Sequence, residues 1–240
     1  ATQPYVTPCA QRLLDQKISE EPVSYEGMFL SGGPGSGKST FMRGSLKESI
    51  DQADFTYDGV MGRFQKAKRN IQATLDSGRK VSVYHVYRPI TEAAEGMFGR
   101  FDQMGRYIPE NVFIKDHVSA QRTFLLLAEE FKDNPDAYFE VLDNSQENNG
   151  PNTVEELEQV SYTGNERSIE EAIQEVGPSV KERFNELESK ISQIESRFEE
   201  SLRNQPRDLG QNREGSQAED GSRQEDLLGS ESQRPSSDLL

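Results

Sequence analysis

The sequence predicts an α/β fold in which a parallel sheet is flanked by helices and followed by a helical C-terminal extension. Short apolar runs typical of buried strands alternate with longer stretches of helical periodicity. A glycine-rich loop joins the first strand to a helix, and a heptad pattern follows the last strand. Alternating strands and helices favour a parallel sheet, because each connection returns the chain to the starting end of the sheet.

The first 21 residues carry a modest helical pattern, which we interpret as a lead-in helix or a linker. The apolar run Met28–Leu30 predicts the first strand of a domain that covers residues 22–145. That length is enough for one hydrophobic core. If the loop after this strand binds phosphate, the fold class is that of a phosphate-loop NTPase or kinase-like domain.

The loop fits the phosphate-binding pattern G-x-x-x-x-G-K-[ST] between a strand and a helix, which is the context that the pattern requires. Glycines let backbone N–H groups converge on phosphate oxygens, and the helix presents its positive end to the same anion. Lys38 is expected to reach the terminal phosphates of ATP, and the Ser39 hydroxyl to ligate Mg²⁺. The predicted nucleotide-binding residues are Gly33, Pro34, Gly35, Ser36, Gly37, Lys38, Ser39 and Thr40.

The remaining elements follow from periodicity and turn residues. A single helix is predicted after the loop, because the apolar residues of Phe41–Ile50 share one helical face. The elements after it are predicted at Phe55–Tyr57 (strand), Phe64–Leu75 (helix), Lys80–Tyr87 (strand), Thr91–Met104 and Glu110–Phe131 (helices), and Ala137–Asp143 (strand).

Beyond the sheet, the chain changes character. Residues 146–177 predict an acidic linker with a short helix from Ile169 to Val176. Residues 178–203 carry a heptad seam of about three heptads, which fits either a coiled-coil dimer or a helix docked on the core. Residues 204–240 are polar and predict a disordered tail.

Composition restricts the partners and the compartment. The formal net charge of -15 and the absence of long basic runs disfavour nucleic acid and anionic membranes as partners. No apolar run is long enough to span a bilayer. The single cysteine, Cys9, excludes an intrachain disulfide and fits a reducing cytoplasm.

Asp58 is the best candidate for a catalytic carboxylate. It ends a predicted strand, and ligands bind at the carboxyl ends of strands in open α/β sheets. A carboxylate there can accept a hydroxyl proton or hold a metal-bound water. The alternative is that Asp58-Gly59 is a plain turn. Asp54, at the start of the same strand, is the weaker candidate because it lies at the opposite end of the sheet.

Arg100 and Arg106 flank the break between two predicted helices. Guanidinium groups on a turn can fold over bound nucleotide and donate paired hydrogen bonds to phosphate. The alternative is that both are ordinary surface arginines. Arg88 also follows a strand and points toward the ligand edge.

The two histidines are weaker candidates. His85 lies within a strand and is expected to be a core residue, whereas His117 and Arg122 share a helix with apolar neighbours. The sequence has no cluster with zinc-ligand spacing. No apolar strand ends in the Asp that most phosphate-loop hydrolases use to hold Mg²⁺, which disfavours a motor ATPase or a switch GTPase.

Four segments together resemble the zeta-toxin family of phosphate-loop kinases. They are Ser31–Thr40, the Tyr57-Asp58-Gly59 turn, Val83–Pro89, and Gly105–Pro109 after Arg100. The resemblance covers about residues 26–145, and the order and spacing of the segments carry it more than any one of them.

The resemblance implies ATP-dependent phosphorylation of a small-molecule hydroxyl, which in the best-known members belongs to a UDP-N-acetyl sugar. It also implies a protein antitoxin that blocks the nucleotide site. By motif position, Lys38 and Ser39 would hold ATP and Mg²⁺, while Arg100 and Arg106 would stabilise the transferred phosphoryl group.

The sequence departs from this family between the loop helix and the acidic turn. Members usually have a further strand there that ends in the general base, but about fifteen residues join Thr40 to Phe55. Asp58 matches a later, substrate-binding position of the family. Either Asp58 has taken the base role, or the substrate differs, or the chain is a nucleotide binder with little activity; we expect a small-molecule kinase. The alternative is an NTP-binding or NTPase module of a larger polypeptide, with an interaction role.

Overall fold

A computed structural model describes residues 3–162 and 169–203 of the chain. They fall into two compact units, of which the first ends at Ser196 and contains the sheet, and the second begins at Arg197. The elements of the described residues are α1 (Gln3–Ser19), β1 (Glu26–Ser31), α2 (Lys38–Arg43), α3 (Lys47–Gln52), β2 (Phe55–Asp58), α4 (Phe64–Asp76), β3 (Lys80–Tyr87), α5 (Ile90–Met104), α6 (Glu110–Glu130), β4 (Ala137–Asp143), α7 (Val154–Val160), α8 (Ile169–Glu175) and α9 (Pro178–Arg203).

The four strands form one fully parallel sheet in the order β2-β1-β3-β4. The predicted α/β class is confirmed, and β3 and β4 have the bounds that the sequence predicts. Because all four strands run in the same direction, their carboxyl ends meet at one edge. That edge carries the phosphate loop, Asp58, Arg88 and Asn144.

The two central strands are buried on both faces. Along β1, Met28 and Leu30 face a cluster with α2 and α3, whereas Phe29 faces a cluster formed by α1, α4, α6 and α7. This alternation follows from the two-residue period of a strand, and continuous burial is typical of parallel sheets covered by helices. The sheet therefore provides a rigid base for the loop at its edge.

The helix after the loop is the clearest difference from prediction. The single helix predicted over Phe41–Ile50 is wrong, because α2 ends at Arg43 and α3 begins at Lys47. Gly44 takes a non-helical conformation, and its N–H donates to the carbonyls of Thr40 and Phe41. Glycine adopts such a conformation at little cost, so the apolar periodicity continues while the backbone turns.

Helix α9 shows that the first part of the heptad seam is docked on the core. Val180, Phe184 and Leu187 are buried with the apolar residues of α5 and α6. Further along, Ile194 is 62% exposed and Phe198 is 65% exposed. The docked alternative is therefore confirmed for the first turns of the helix, and coiled-coil self-association stays a prediction.

Within the described residues, no helix combines the length and the apolarity needed to cross a bilayer. The predicted disorder of residues 204–240 lies outside the described residues.

Candidate active site

The phosphate loop packs against the protein so closely that its glycines have no room for side chains. Gly35 and Gly37 have φ values of 78° and 97°. A Cβ on Gly35 would clash with the carbonyl oxygen of Ala93, one on Gly37 with the Asn144 amide, and one on Gly33 with the His117 ring. The loop is therefore a cradle of bare backbone, which is what close approach to phosphate requires.

A cleft of about 570 Å³ opens over this loop at the carboxyl edge of the sheet. It brings together Lys38, Asp58, Arg100 and Arg106, which the sequence singles out from four separate segments. Among the predicted loop residues, Thr40 lies outside the lining. The lining residues are Gly33, Pro34, Gly35, Ser36, Gly37, Lys38, Ser39, Asp58, Gly59, Val60, Met97, Arg100, Arg106, Tyr107, Ile108, Pro109, Val112 and Asp116.

Lys38 is folded back onto its own loop. Its Nζ donates to the carbonyl oxygens of Gly32, at 2.6 Å, and Gly33, at 3.3 Å. Burial lowers the pKa of this amine, with Arg100 and Arg106 adding to the effect, while Asp58 and Asp116 oppose it. An anionic ligand in the cleft would restore the charge balance and give Nζ a stronger acceptor than a carbonyl.

Two carboxylates line the cleft, and the sequence predicts only one of them. Asp58 ends β2 and is exposed. Asp116 lies on α6 and is half-buried, and burial raises its pKa against the opposing effects of Lys115 and Lys38. No ion pair to either carboxylate is formed among the described residues. The mixed apolar and polar sequence of α6 gives no signal that distinguishes Asp116.

The arginines line another part of the cleft, which we call the arginine wall and define as Arg100 together with residues 106–109. Gly105, with a φ of 64°, ends α5 and starts the turn that carries Arg106. This turn is held to α9, since the Tyr107 hydroxyl donates to Glu188 at 2.8 Å. Arg183 of α9 adds a 3.1 Å ion pair with Asp102.

The loop side, which we call the phosphate wall and define as residues 33–39, is held by groups from other elements. His117 Nε2 lies 2.7 Å from the carbonyl oxygen of Pro34, and Arg88 Nη1 donates to that of Gly35 at 3.2 Å. The Asn144 amide donates to the carbonyl oxygen of Ser36 at 2.7 Å. Arg88 thus contacts the loop from outside the cleft. No sequence signal identified Asn144.

His85 is a core residue, as predicted. It is 1% exposed, and its Nδ1 lies 3.2 Å from the Ser31 hydroxyl. Burial, with smaller contributions from Lys38 and His117, lowers the pKa of His85 to about 3. Burial also lowers the pKa of His117 to about 4, against the opposing hydrogen bond to Pro34. Both imidazoles are therefore neutral near pH 7.

Two weaker candidates lie away from the cleft. Asp54 is at the opposite end of the sheet, as expected, and pairs with the buried guanidinium of Arg79 at 2.8 Å. Burial alone would raise the pKa of Asp54, but hydrogen bonds from Ser24, Arg79 and Val23 lower it to about 2. Arg122 lines a separate groove between α6 and β4.

The cleft fits a nucleoside triphosphate with Mg²⁺. A Cβ at any of the loop glycines 33, 35 or 37 would clash with a neighbouring group, so the loop presents bare backbone. Lys38 supplies a cation, and the Ser39 hydroxyl lies in the lining. Over the described ranges, no group of three or more His, Cys, Asp or Glu side chains is placed to hold a metal. By its place in the glycine-lysine pattern, the Ser39 hydroxyl is the group that would ligate a divalent ion here.

Comparison with known proteins gives one family match. The model of the zeta-toxin family matches residues 46–149. The matched region contains Asp58, both arginines and Asp116, and begins after the phosphate loop. No curated protein sequence matches the chain significantly.

Solved structures give weaker likenesses. The AvrRxo1-ORF1:-ORF2 complex is 14% identical with a TM-score of 0.43, over 57% of this chain and 62% of that one. A second structure of that complex, with ATP, is 14% identical with a TM-score of 0.42, over 58% and 64%. The PezAT toxin-antitoxin system of Streptococcus pneumoniae is 12% identical with a TM-score of 0.40, over 74% and 96%. The chain thus spans less than two thirds of the AvrRxo1 chains that it matches.

Proposed function

We propose that this chain, whose residues 46–149 match the model of the zeta-toxin family, is an ATP-dependent kinase acting on the hydroxyl of a small molecule. The observation that carries the proposal is the meeting of Lys38, Asp58, Arg100 and Arg106 in one cleft over a glycine cradle. Phosphoryl transfer needs a phosphate cradle, cations and a group that orients the nucleophile, and this cleft offers all three.

The phosphate wall binds and orients the triphosphate of ATP. Backbone N–H groups of residues 33–39 and the Lys38 amine would hold the phosphate oxygens, and the Ser39 hydroxyl, which lines the cleft, would ligate Mg²⁺. When bound, Mg²⁺ neutralises charge on the phosphate oxygens. Lys38 would exchange its loop carbonyls for phosphate oxygens, which are stronger acceptors because they are charged.

A carboxylate orients the acceptor hydroxyl and takes its proton. As the bond from the hydroxyl oxygen to the γ-phosphorus forms, the bond to the β–γ bridging oxygen breaks, and ADP leaves with that electron pair. We assign the proton to Asp58, with Asp116 as the alternative acceptor in the same cleft. Arg100 and Arg106 face the charge that spreads over the transferred group, which is where guanidinium donors are most effective.

The family match extends the proposal to substrate and partner. A UDP-N-acetyl sugar is the first candidate substrate, and a protein antitoxin that covers the cleft is the candidate partner. Apolar groups in the lining, including Val60, Ile108 and Val112, give part of the cleft an uncharged surface against which a substrate ring could pack. The cytoplasm, where ATP and nucleotide sugars occur, is the proposed compartment.

Incubation of the protein with γ-labelled ATP and a bacterial metabolite extract tests the proposal. A labelled small molecule supports the kinase, and UDP-N-acetyl sugars tested singly check the candidate substrate. Release of free phosphate alone would replace the proposal with an NTPase, and neither product would leave an NTP-binding module with an interaction role. Lys38→Ala is the negative control, since it removes the cation of the cradle.

The two carboxylates are distinguished by Asp58→Asn and Asp116→Asn. If Asp58 takes the proton, Asp58→Asn lowers turnover by about 100-fold or more, as expected for loss of a general base. Unchanged phosphorylation by Asp58→Asn together with a large loss in Asp116→Asn would move the role to Asp116. An unchanged rate in both variants would contradict carboxylate catalysis in this cleft.

A further inference from the structure

We propose that His117, Arg88 and Asn144 are positioning residues that hold the phosphate loop in its binding form before a nucleotide arrives. The inference rests on the proposed function only in taking the loop to be a triphosphate site. It concerns side chains outside the glycine-lysine pattern, and none of the three lines the cleft.

The contacts form a consecutive series. The carbonyls of Pro34, Gly35 and Ser36 are bonded in that order by His117, Arg88 and Asn144, at 2.7, 3.2 and 2.7 Å. The three partners come from α6, from the end of β3 and from the end of β4. Three successive peptide groups are therefore fixed by three elements that approach from different parts of the chain.

This series determines the direction of the N–H groups. In a planar trans peptide, the carbonyl of one residue and the N–H of the next point in opposite directions. The carbonyls of residues 34–36 point at their side-chain partners. The N–H groups of residues 35–37 therefore point away from those partners. Residues 33–39 line the cleft, so the N–H groups of Gly35 and Gly37 can serve an anion bound there, whereas that of Ser36 donates to the Gly33 carbonyl oxygen at 3.3 Å.

Close packing shows that the contacts are specific. The glycines at 33 and 37 lie against His117 and Asn144 so tightly that a Cβ would clash with each side chain. His117 is 3% exposed, and its low pKa keeps the ring neutral, with one proton. In the tautomer that carries this proton on Nε2, the ring donates to the Pro34 carbonyl. The His117 and Asn144 side chains thus occupy the space that a side chain at position 33 or 37 would need.

An ion pair orients Arg88, and hydrogen bonds orient the turn that carries Asn144. Arg88 Nε lies 3.5 Å from the Glu92 carboxylate, which also accepts from the N–H of Gln146 at 2.9 Å. Asn144 begins a turn whose shape is set by Asp143, because that carboxylate accepts from the N–H groups of Ser145 and Gly150, both at 2.8 Å. The turn after β4 is thus a support for the phosphate loop.

The test measures affinity for ATP and for inorganic tripolyphosphate in variants of the full chain. Asn144→Ala removes one donor, and His117→Phe removes another while keeping an aromatic ring of similar size. We expect each to weaken binding of both ligands by about five- to tenfold, the range for losing one intramolecular hydrogen bond. His117→Gln, which keeps a donor, should recover part of the loss.

Asn149→Ala is the matched control, because Asn149 lies in the same turn but bonds to Glu147 rather than to the loop. It should bind both ligands like the wild type. Equal losses for ATP and tripolyphosphate support the inference, since the positioned groups act on phosphate alone. Unchanged affinity in Asn144→Ala and His117→Phe, or a loss with ATP but not with tripolyphosphate, overturns it.

The same titration separates this inference from the kinase proposal. A wild-type chain that binds triphosphate but transfers no phosphoryl group contradicts the kinase and leaves the positioning test valid. A wild-type chain that binds neither ligand contradicts both.

Discussion

The two walls of the cleft differ in how they are held. On the phosphate wall, three consecutive carbonyls are bonded by side chains from three elements, and none of residues 33–39 is exposed. On the arginine wall, Arg106 is exposed, and its turn is connected to α9 by Tyr107 and Glu188 near the surface. The phosphate wall is thus fixed by hydrogen bonds to its backbone, whereas the arginine wall is held by the packing of Tyr107 and Ile108 on the core and by one side-chain hydrogen bond.

This difference suggests a division of work. A fixed wall loses little entropy when it binds a ligand, which favours ground-state affinity for the triphosphate. Guanidinium groups on a turn can adjust their position as negative charge develops on the transferred phosphoryl group, which stabilises the transition state. The phosphate wall should therefore determine ATP affinity, and the arginine wall should determine turnover.

The largest effect is expected from an added methyl group on the phosphate wall. In Gly35→Ala, the new Cβ meets the carbonyl oxygen of Ala93 at a φ that disfavours side chains, so the loop cannot keep its shape. We expect a loss of ATP affinity of about 1000-fold or more, equivalent to roughly 4 kcal/mol. Calorimetric titration with ATP and Mg²⁺ measures it.

Gly105→Ala is the matched control on the arginine wall, because Gly105 also has a positive φ but nothing lies within 4 Å of its Cβ position. The strain should cost about 1 to 2 kcal/mol of stability, with ATP affinity near that of the wild type. Equal loss of affinity in the two variants would contradict the contrast between the walls.

Arg106→Ala should affect turnover rather than binding. Loss of a donor that acts on the transition state lowers the rate by about 100-fold, while the dissociation constant for ATP changes by less than about threefold. Arg100→Ala should behave in the same way. Steady-state turnover and equilibrium titration separate the two effects, and Arg122→Ala, away from the cleft, is the control. A large loss of ATP affinity with unchanged turnover would assign the arginines to the ground state.

Acid should lower the free energy of unfolding through the two buried histidines, of which His117 bonds to the phosphate wall. Their folded pKa values, about 3 for His85 and about 4 for His117, lie below the ordinary 6.5. The unfolded chain therefore binds more protons between these values, and stability falls as the pH drops below 6.5. For each histidine the slope approaches about 1.4 kcal/mol per pH unit as the pH falls below 6.5.

Urea unfolding at pH 7, 6 and 5 measures that slope. His85→Phe removes one of the two titrating groups while keeping an aromatic ring beside Phe124, so it should reduce the slope by about half. A slope that is the same in wild type and variant would mean that His85 is not buried as a neutral ring.

The smallest effect is expected from Tyr107→Phe, which removes the hydroxyl that donates to Glu188. Because this bond is exposed, the loss of stability should stay below about 1 kcal/mol. Turnover should fall by about two- to fivefold as the arginine turn becomes less restricted, and Glu188→Gln should lose less because it keeps an acceptor. Thermal unfolding and turnover measured side by side would expose a purely structural role, in which turnover does not change.

The sheet and the phosphate wall were largely predictable because their signals are local. Strands β3 and β4 show as short apolar runs between turn residues, and the loop shows as a fixed spacing of glycines and lysine. Asp58 was found because it ends a strand at the edge where ligands bind, and the two arginines because they flank the break between α5 and α6. Helix α7 could also have been predicted, since Thr153 and Glu156 have capping-box spacing and the Thr153 hydroxyl accepts from the Glu156 N–H.

The other groups could not be predicted because their roles arise only from the fold. Asp116 and His117 are neighbours on α6, yet one lines the cleft and the other bonds to the loop from beneath. Asn144 looks like any polar residue after a strand until β4 pairs with β3. The break after α2 was missed because Gly44 interrupts an apolar pattern that continues on both sides.

The hydrogen bond between Asn144 and Ser36 joins positions 108 residues apart, and this separation has a consequence for synthesis. At roughly 5 to 20 residues per second, a ribosome delivers Asn144 about 5 to 20 s after the glycine-rich segment. Contacts between distant residues of parallel sheets also form slowly. Tight triphosphate binding should therefore report that the last strand has joined the sheet, and immobilised ATP should retain completed chains and release those that stop short of it.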